Sequence, residues 1–330
     1  MSAVLEQLDS YIETNGGAEL QLRKLLPIRA VDVQELAAMQ FKPRDVILAP
    51  WLHTQDLCMV FAARGIGKTH LALGVAYAVA SGGELGPWHA SQPRKVLYLD
   101  GELPGVVMQE RARMHCTQIE PACGYLRIFT PDLLPDGYAL PDLSTRAGQE
   151  AIDPLVEDAE LIIVDNLSAW ARTGRENEAE SWQLIADWIL RLRRRGIAVL
   201  LIHHAGKNGA QRGTSKREDL LDAVLSLSRP VDYDASKGAV FVVEFTKARH
   251  LTGADAASLE LAMTVVGERA VWICRTAAAS MLTRVVALSQ MGYAPNEMAM
   301  ELGIDKSNVS RYLGKARTKG LLQPKAQVPA

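Results

Sequence analysis

The sequence predicts an α/β fold, a mostly parallel sheet covered by helices on both faces, followed by a small all-helical unit. Three observations predict it. Short apolar runs of strand length recur at 57–62, 95–100, 161–165, 198–203, 223–228, 239–245 and 270–274. Helical spacing at 69–81 and 179–195 separates the earlier runs, and strands alternating with helices build parallel sheets with ligands outside the carboxyl ends of the strands. The last 55 residues change to helical, basic sequence. The expected organisation is a helical lead-in over 1–45, a large α/β domain over 46–275 and a helical domain over 276–330.

Composition sets the frame for these elements. The chain has 330 residues, 48% hydrophobic and 22% charged, with a net charge of −2. That is an ordinary globular composition with no global pull toward nucleic acid or membrane, so any basic surface must be local. Cys58, Cys116, Cys123 and Cys274 are scattered, with no second pair or histidine cluster to complete a zinc site. Reduced, unmetallated thiols are expected. The opening MSAVLEQLDSYIETNGG has no basic segment before an apolar core, and no apolar stretch reaches the ~18 residues of a membrane span. A cytoplasmic protein with no membrane partner is expected.

Residues 1–44 mix acidic and apolar positions at helical spacing and end in FKPRD, which predicts the lead-in. LCMVF then runs into AARGIGKT, and HLALGVAYAVA follows at helical spacing. A strand, a glycine-rich loop and a helix in that order form a phosphate-binding P-loop. Its backbone amides converge on phosphate oxygens, its lysine is the positive charge for the β and γ phosphates, and its threonine hydroxyl ligates magnesium. Ala62 stands where the usual pattern begins with glycine, but Gly65, Gly67, Lys68 and Thr69 keep those functions. The predicted ATP-contacting stretch is Ala63, Arg64, Gly65, Ile66, Gly67, Lys68, Thr69 and His70.

KVLYLDGELP ends a strand in Asp100, Gly101 and Glu102. A carboxylate near the γ phosphate can orient and deprotonate water, and Glu102 is the first candidate, with Asp100 as a second. Residues 124–148, rich in proline, glycine and aspartate, predict a long loop. LIIVD is an apolar strand ending in Asp165, the acid that would hold magnesium opposite Thr69. LLIHHAGKNGAQRGTSKRED ends a strand in His203 and His204 before a polar segment. A histidine there can bond the γ phosphate while its loop touches another ligand, and one of the two is structural. The later strands lie closer together, predicting an antiparallel extension of the sheet.

In this order and spacing, AARGIGKTHLAL, VLYLDGELP, LIIVDN, LLIHHAGK and RGTS resemble the RecA-like P-loop ATPases of plasmid replication. These are the RepA-type hexameric replicative helicases and their relatives, and the resemblance spans 46 to 275 or so. It implies ATP and Mg2+ as ligands, with Lys68 and Thr69 on nucleotide and metal, Asp165 as the Walker B acid, Glu102 as the catalytic glutamate and His204, or His203, as the γ-phosphate sensor. It also places the segment carrying Lys207, Arg212 and Lys216 against single-stranded DNA in the channel of a homo-oligomeric ring, hexameric by preference. The site would then lie between subunits, with Lys247 and Arg249 of EFTKARH as the cations a neighbour supplies and Arg212 as their rival.

TRVVALSQMGYAPNEMAMELGIDKSNVSRYLGKARTKGLL resembles a winged helix-turn-helix, with Ala299 and Val309 at packing positions, Gly303 in the turn and a short wing after Gly320. Lys306, Ser307, Asn308, Ser310 and Arg311 would face the duplex groove, and Lys315, Arg317 and Lys319 the phosphates. From Leu302 onward there are six Lys/Arg against one acid, a local charge that suits DNA.

The expected function is therefore a ring-forming, DNA-dependent ATP hydrolase, a helicase or helicase-like ATPase in replication of a plasmid or other mobile element. The alternative is an ATP-gated DNA-binding regulator or loader that does not unwind, which the lack of a basic or aromatic stripe outside 207–217 keeps open. A small-molecule kinase ranks last, because it explains neither the polar segment after His204 nor the basic terminal helices.

Overall fold

The structure, a computed structural model, describes residues 30–115, 120–172, 179–205, 218–230, 233, 234, 236 and 238–322. The chain divides into two compact units, 1–43 and 44–330. In the first, α1 (Val33–Ala38) is capped by Asp32, whose Oδ1 accepts from Glu35 N at 2.7 Å. Helix is limited to those six residues among the described part of the predicted lead-in, and residues 1–29 lie outside it.

The second unit begins with a short hairpin, β1 (Val46–Leu48) and β2 (Leu52–His53), then β3 (Leu57–Ala62) and α2 (Lys68–Ser81). A second hairpin follows, β4 (Glu84–Leu85) and β5 (Trp88–His89), then β6 (Val96–Asp100), α3 (Gly105–Met114) and β7 (Leu126–Phe129). Next come α4 (Arg146–Val156), β8 (Leu161–Asp165), α5 (Leu167–Trp170), α6 (Ala179–Arg194) and β9 (Ala198–His204). The sheet is completed by β10 (Ala223–Ser228), β11 (Ala239–Ala248), β12 (Leu259–Val266) and β13 (Arg269–Thr276), and α7 (Ala277–Gln290), α8 (Pro295–Glu301) and α9 (Lys306–Thr318) end the described chain.

Among the described residues, nine strands form one sheet in the order β13-β12-β11-β10-β3-β9-β8-β6-β7. From β10 to β7 every pairing is parallel, and β10 to β13 form an antiparallel meander, as the closer spacing of the later strands predicts. All residues of β3, β6 and β8 are buried. That is why these strands read as unbroken apolar runs: helices cover both faces, so no position alternates with water.

Strand alternation divides the core in two. Cys58, Val60, Ala62, Val96, Tyr98, Leu161, Ile163, Leu200 and Ile202 pack with α2 on one face. Met59, Phe61, Leu97, Leu99, Ile162, Val164, Val199 and Leu201 pack with α4, α5 and α6 on the other. In α2 only Thr69 and His70 escape burial. Each valine, leucine, isoleucine, methionine or phenylalanine so buried contributes about 1.5–3 kcal/mol. Gly74 lets the helix close on β4, since a Cβ there would lie 2.8 Å from Leu85 Cδ1. Gly82, at φ +68, ends the helix in the left-handed conformation.

The predicted loop over 124–148 is corrected in part: it contains β7, paired in parallel with β6, and a 3₁₀ turn at Pro131–Leu133. β12 and the two short hairpins are likewise additions to the elements expected from the sequence. The three last helices have their own small core of Val285, Met298, Leu302, Val309 and Leu313. The wing expected after Gly320 falls largely in 323–330, outside the described residues. No described helix is long and apolar enough to cross a membrane.

Candidate active site

Four adjacent strands aim chemistry at one place. By alternation Ala62, Asp100, Asp165 and His204, at or near the carboxyl ends of β3, β6, β8 and β9, fall on the α2 face of the sheet. Beyond these strand ends lies a cavity of about 780 Å³ into which Arg64, Gly65, Gly67, Lys68, Thr69 and His70 project. Glu102, Asp165 and His204 line it as well. The structure thus brings together the P-loop and the three companion groups singled out in the sequence. Of the predicted ATP-contacting stretch, Ile66 instead turns into the core and Ala63 offers its carbonyl to Lys68.

The P-loop turns on two glycines with positive φ, Gly65 at +74 and Gly67 at +119, before α2 begins at Lys68. Lys68 is buried, and its Nζ donates to Ala62 O at 3.0 Å and Ala63 O at 2.8 Å. Burial pulls its pKa down to about 8, against the attraction of Asp165 and Glu102. An ammonium held among backbone carbonyls, beside a cradle that no Cβ fills at Gly65, is a site fitted to an anion.

Gly67→Ala should remove that fit. The new Cβ would lie 3.0 Å from Phe241 Cε1, on a backbone that L side chains avoid. At about 1–3 kcal/mol of strain, ATP affinity is expected to fall roughly tenfold or more. The readout is loss of the rise in melting temperature on adding nucleotide.

Asp165 is buried and its Oδ2 accepts from Tyr98 Oη at 2.7 Å. Burial raises its pKa, while bonds from Tyr98 and Thr69 lower it. A buried carboxylate tied to the first threonine of α2 is a pair of hard oxygen donors, the ligand type a divalent cation of nucleotide sites takes. The residues present therefore fit a nucleotide with its metal: Gly65, Gly67 and Lys68 for the phosphates, Thr69 and Asp165 for the ion.

Glu102 sits on the turn after β6 with its side chain half exposed, its Oε1 3.8 Å from His204 Nε2. His204 Nε2 also lies 3.2 Å from Asn166 Nδ2. Glu102 can therefore reach water in the cavity, with the His204 imidazole beside it and Asn166 against the same ring nitrogen. Asp100 is held differently. It is almost fully buried and accepts from Glu102 N, Leu103 N and the Thr130 hydroxyl, and burial raises its pKa to about 6. Of the two acids, Glu102 lines the cavity and Asp100 holds the turn. His203 is fully buried on the opposite sheet face, in register with Phe61, and does not line the cavity.

Lys247 and Arg249 lie at the far end of the sheet. β11 runs antiparallel to β10, so both residues stand near Ala223, at the strand end away from the P-loop. Lys247 Nζ donates to Glu218 O, and Arg249 donates to Asp219 O at 2.7 Å and pairs with Asp222 at 3.5 Å. Neither lines this chain's own cavity. Lys207, Arg212 and Lys216 lie outside the described residues.

The cavity has cations that sequence reasoning missed. Arg111, on α3, lines it, and so does Arg229. Arg229 donates to Gly65 O at 2.5 Å and Val240 O at 2.9 Å, and stacks 3.7 Å over the Tyr233 ring. It ties the P-loop to the strand beyond β10. Its signal was an arginine closing the apolar run AVLSLS, at the same strand end as Ala62. His70 lies 3.2 Å from His115, and burial lowers the pKa of both, to about 4 and about 3. Both imidazoles are neutral at pH 7.

In α9, Lys306, Ser307, Ser310, Arg311 and Lys315 are exposed and Asn308 is half-buried, while Val309, Leu313 and Ala316 face the small core.

The family model of an AAA domain matches residues 22–210. No curated protein matches the chain.

Proposed function

Because the chain belongs to the AAA domain family, whose members are P-loop ATPases, we propose that it couples ATP hydrolysis to DNA within a ring of identical subunits. The finer reading is a helicase or helicase-like ATPase in the replication of a plasmid or other mobile element, with Mg2+ as the metal. One observation supports the catalytic part above all: Glu102, Asp165, His204 and Lys68 share one cavity at the P-loop.

In this reading Lys68 and the amides of the P-loop hold the phosphates, and Thr69 and Asp165 hold magnesium. That ion supplies charge stabilisation to the oxygens of the transferring phosphoryl group. Glu102 orients water and takes its proton, and His204, beside Glu102 and Asn166, reads the state of the terminal phosphate. Lys247 and Arg249 stand too far from their own P-loop to act there, so they serve a neighbour's cavity, each site then being complete only in the assembly.

DNA enters the proposal through the last three helices. A recognition helix needs an exposed polar and basic face over an apolar one, and α9 has both. Replacing Lys306, Arg311 and Lys315 together by alanine is expected to weaken duplex binding. It should also flatten the dependence of log K on log salt by about 0.9 for each phosphate no longer neutralised. A variant with wild-type affinity and salt slope would place DNA elsewhere.

The decisive experiment is ATP turnover with and without single-stranded DNA, run beside strand displacement on a forked duplex. Stimulation together with displacement is the expected result. Hydrolysis indifferent to single-stranded DNA, in a chain that still binds duplex through α9, would favour the regulator or loader that does not unwind.

A further inference from the structure

Glu102 sits on a turn outside the sheet, yet a general base must be held to within a fraction of an ångström. We propose that residues 130–132, just beyond the edge strand β7, are a brace that positions Glu102, with Thr130 and Asp132 as its positioning residues. The proposal rests on the reading of Glu102 as the group that activates water.

The turn is held from both sides. Toward the middle of the sheet, Gly101 N donates to Asp165 O at 2.9 Å. Gly101 also lies against α5, where a Cβ would come 2.7 Å from Ala169 Cβ and 3.0 Å from Trp170 Nε1. Only glycine allows that approach. Toward the edge, Asp100, buried beneath the turn, takes the amides of Glu102 at 3.2 Å and Leu103 at 3.2 Å on its carboxylate. Thr130, itself buried, places its hydroxyl 3.0 Å from Asp100 Oδ2 and 3.1 Å from Leu103 O, so one proton serves both acceptors. Two residues on, Asp132 Oδ2 accepts from Gly105 N, the first residue of α3, at 2.6 Å.

Residue 130 thus grips Asp100 and Leu103, on either side of Glu102, and residue 132 grips Gly105, at the end of the turn. Neither lines the cavity, so an effect on turnover is indirect, and comparison with a Glu102→Gln background separates a route through Glu102 from one through Leu103 or Arg111. Without the Thr130 hydroxyl, a buried carboxylate oxygen and a carbonyl lose a donor, and the turn gains freedom to shift away from both.

The test is Thr130→Val, which keeps the shape and removes the hydroxyl, beside Thr130→Ser, which restores it. The expected result for Thr130→Val is kcat lower by about tenfold, with KM for ATP and the affinity for a fluorescent ATP analogue within about twofold of wild type. Thr130→Ser should return kcat to within about twofold. In a Glu102→Gln background, adding Thr130→Val should change the residual single-turnover rate by less than about twofold, because the group being positioned is gone.

The brace is overturned if Thr130→Val lowers the rate equally in both backgrounds, if KM rises with kcat unchanged, or if serine fails to rescue. Should Thr130→Val melt below the assay temperature, Asp132→Ala carries the same test in the same two backgrounds. If Glu102→Gln turns over like wild type, the reading of Glu102 falls and the brace falls with it. If Glu102→Gln is inactive while Thr130→Val keeps full kcat, the brace alone falls.

Discussion

Lys68→Ala is expected to lower ATP turnover by on the order of 10²–10³-fold, the usual effect of deleting a charge that faces developing negative charge in a poorly solvated site. The same substitution should leave the nucleotide-free protein as stable as wild type or more so. Burial has depressed the lysine's pKa from 10.5 to about 8, so the folded chain binds this proton less tightly than the unfolded chain does. Between pH 8 and 10.5 the unfolded state holds more of the proton, stability rises with pH, and below pH 8 the full penalty is present. Alanine removes the penalty along with the function. Melting scans at pH 7 with and without ATP check both halves: the variant should melt no lower than wild type, and nucleotide should no longer raise its midpoint. Retained turnover would remove the whole assignment of the cavity.

Glu102→Gln should separate binding from chemistry. The amide keeps the size of the side chain but cannot take a proton, and loss of a general base typically costs 10²–10⁴-fold in rate. Its side chain is half exposed and makes no bond that closes the fold, so melting temperature should be unchanged. Nucleotide affinity should stay near wild type or rise as one negative charge leaves the cavity. Stalled hydrolysis with intact binding in the same preparation is the expected pattern, read by phosphate release and by titration of a fluorescent analogue.

Most of the central sheet was legible in the sequence because burial on both faces writes a strand as a continuous apolar run. The elements that escaped notice lack that signature. β7 is a half-buried edge strand of four residues, LRIF, set among prolines, glycines and aspartates. β12 carries Glu260 in its interior, a charge that is buried because Ser280 and Arg284 of α7 meet it there. Such a pairing between distant segments leaves no mark on local pattern.

The candidate site divides the same way. Gly65, Gly67, Lys68 and Thr69 are consecutive or nearly so, and their spacing announces them, while Asp165 and Glu102 each follow an apolar strand. Which of two adjacent histidines faces the cavity follows from strand parity alone, since Ala62 and His204 share the α2 face and Phe61 and His203 the other. That deduction needed the register of β3 against β9. Arg111, Arg229 and Thr130 arrive from a helix, a strand end and an edge loop whose approach only the assembled sheet defines.

The near-complete burial of α2 has a consequence for how nucleotide would be received. A helix packed on almost every side cannot slide or roll without repacking the core around it, and its amides should be among the slowest in the molecule to exchange with solvent. The phosphate cradle at its start is anchored to that least yielding element. Binding there needs little ordering of its own, because the cradle is already formed before nucleotide arrives. A cradle held this firmly sets affinity through its fixed shape, with little of the binding energy lost to ordering the protein.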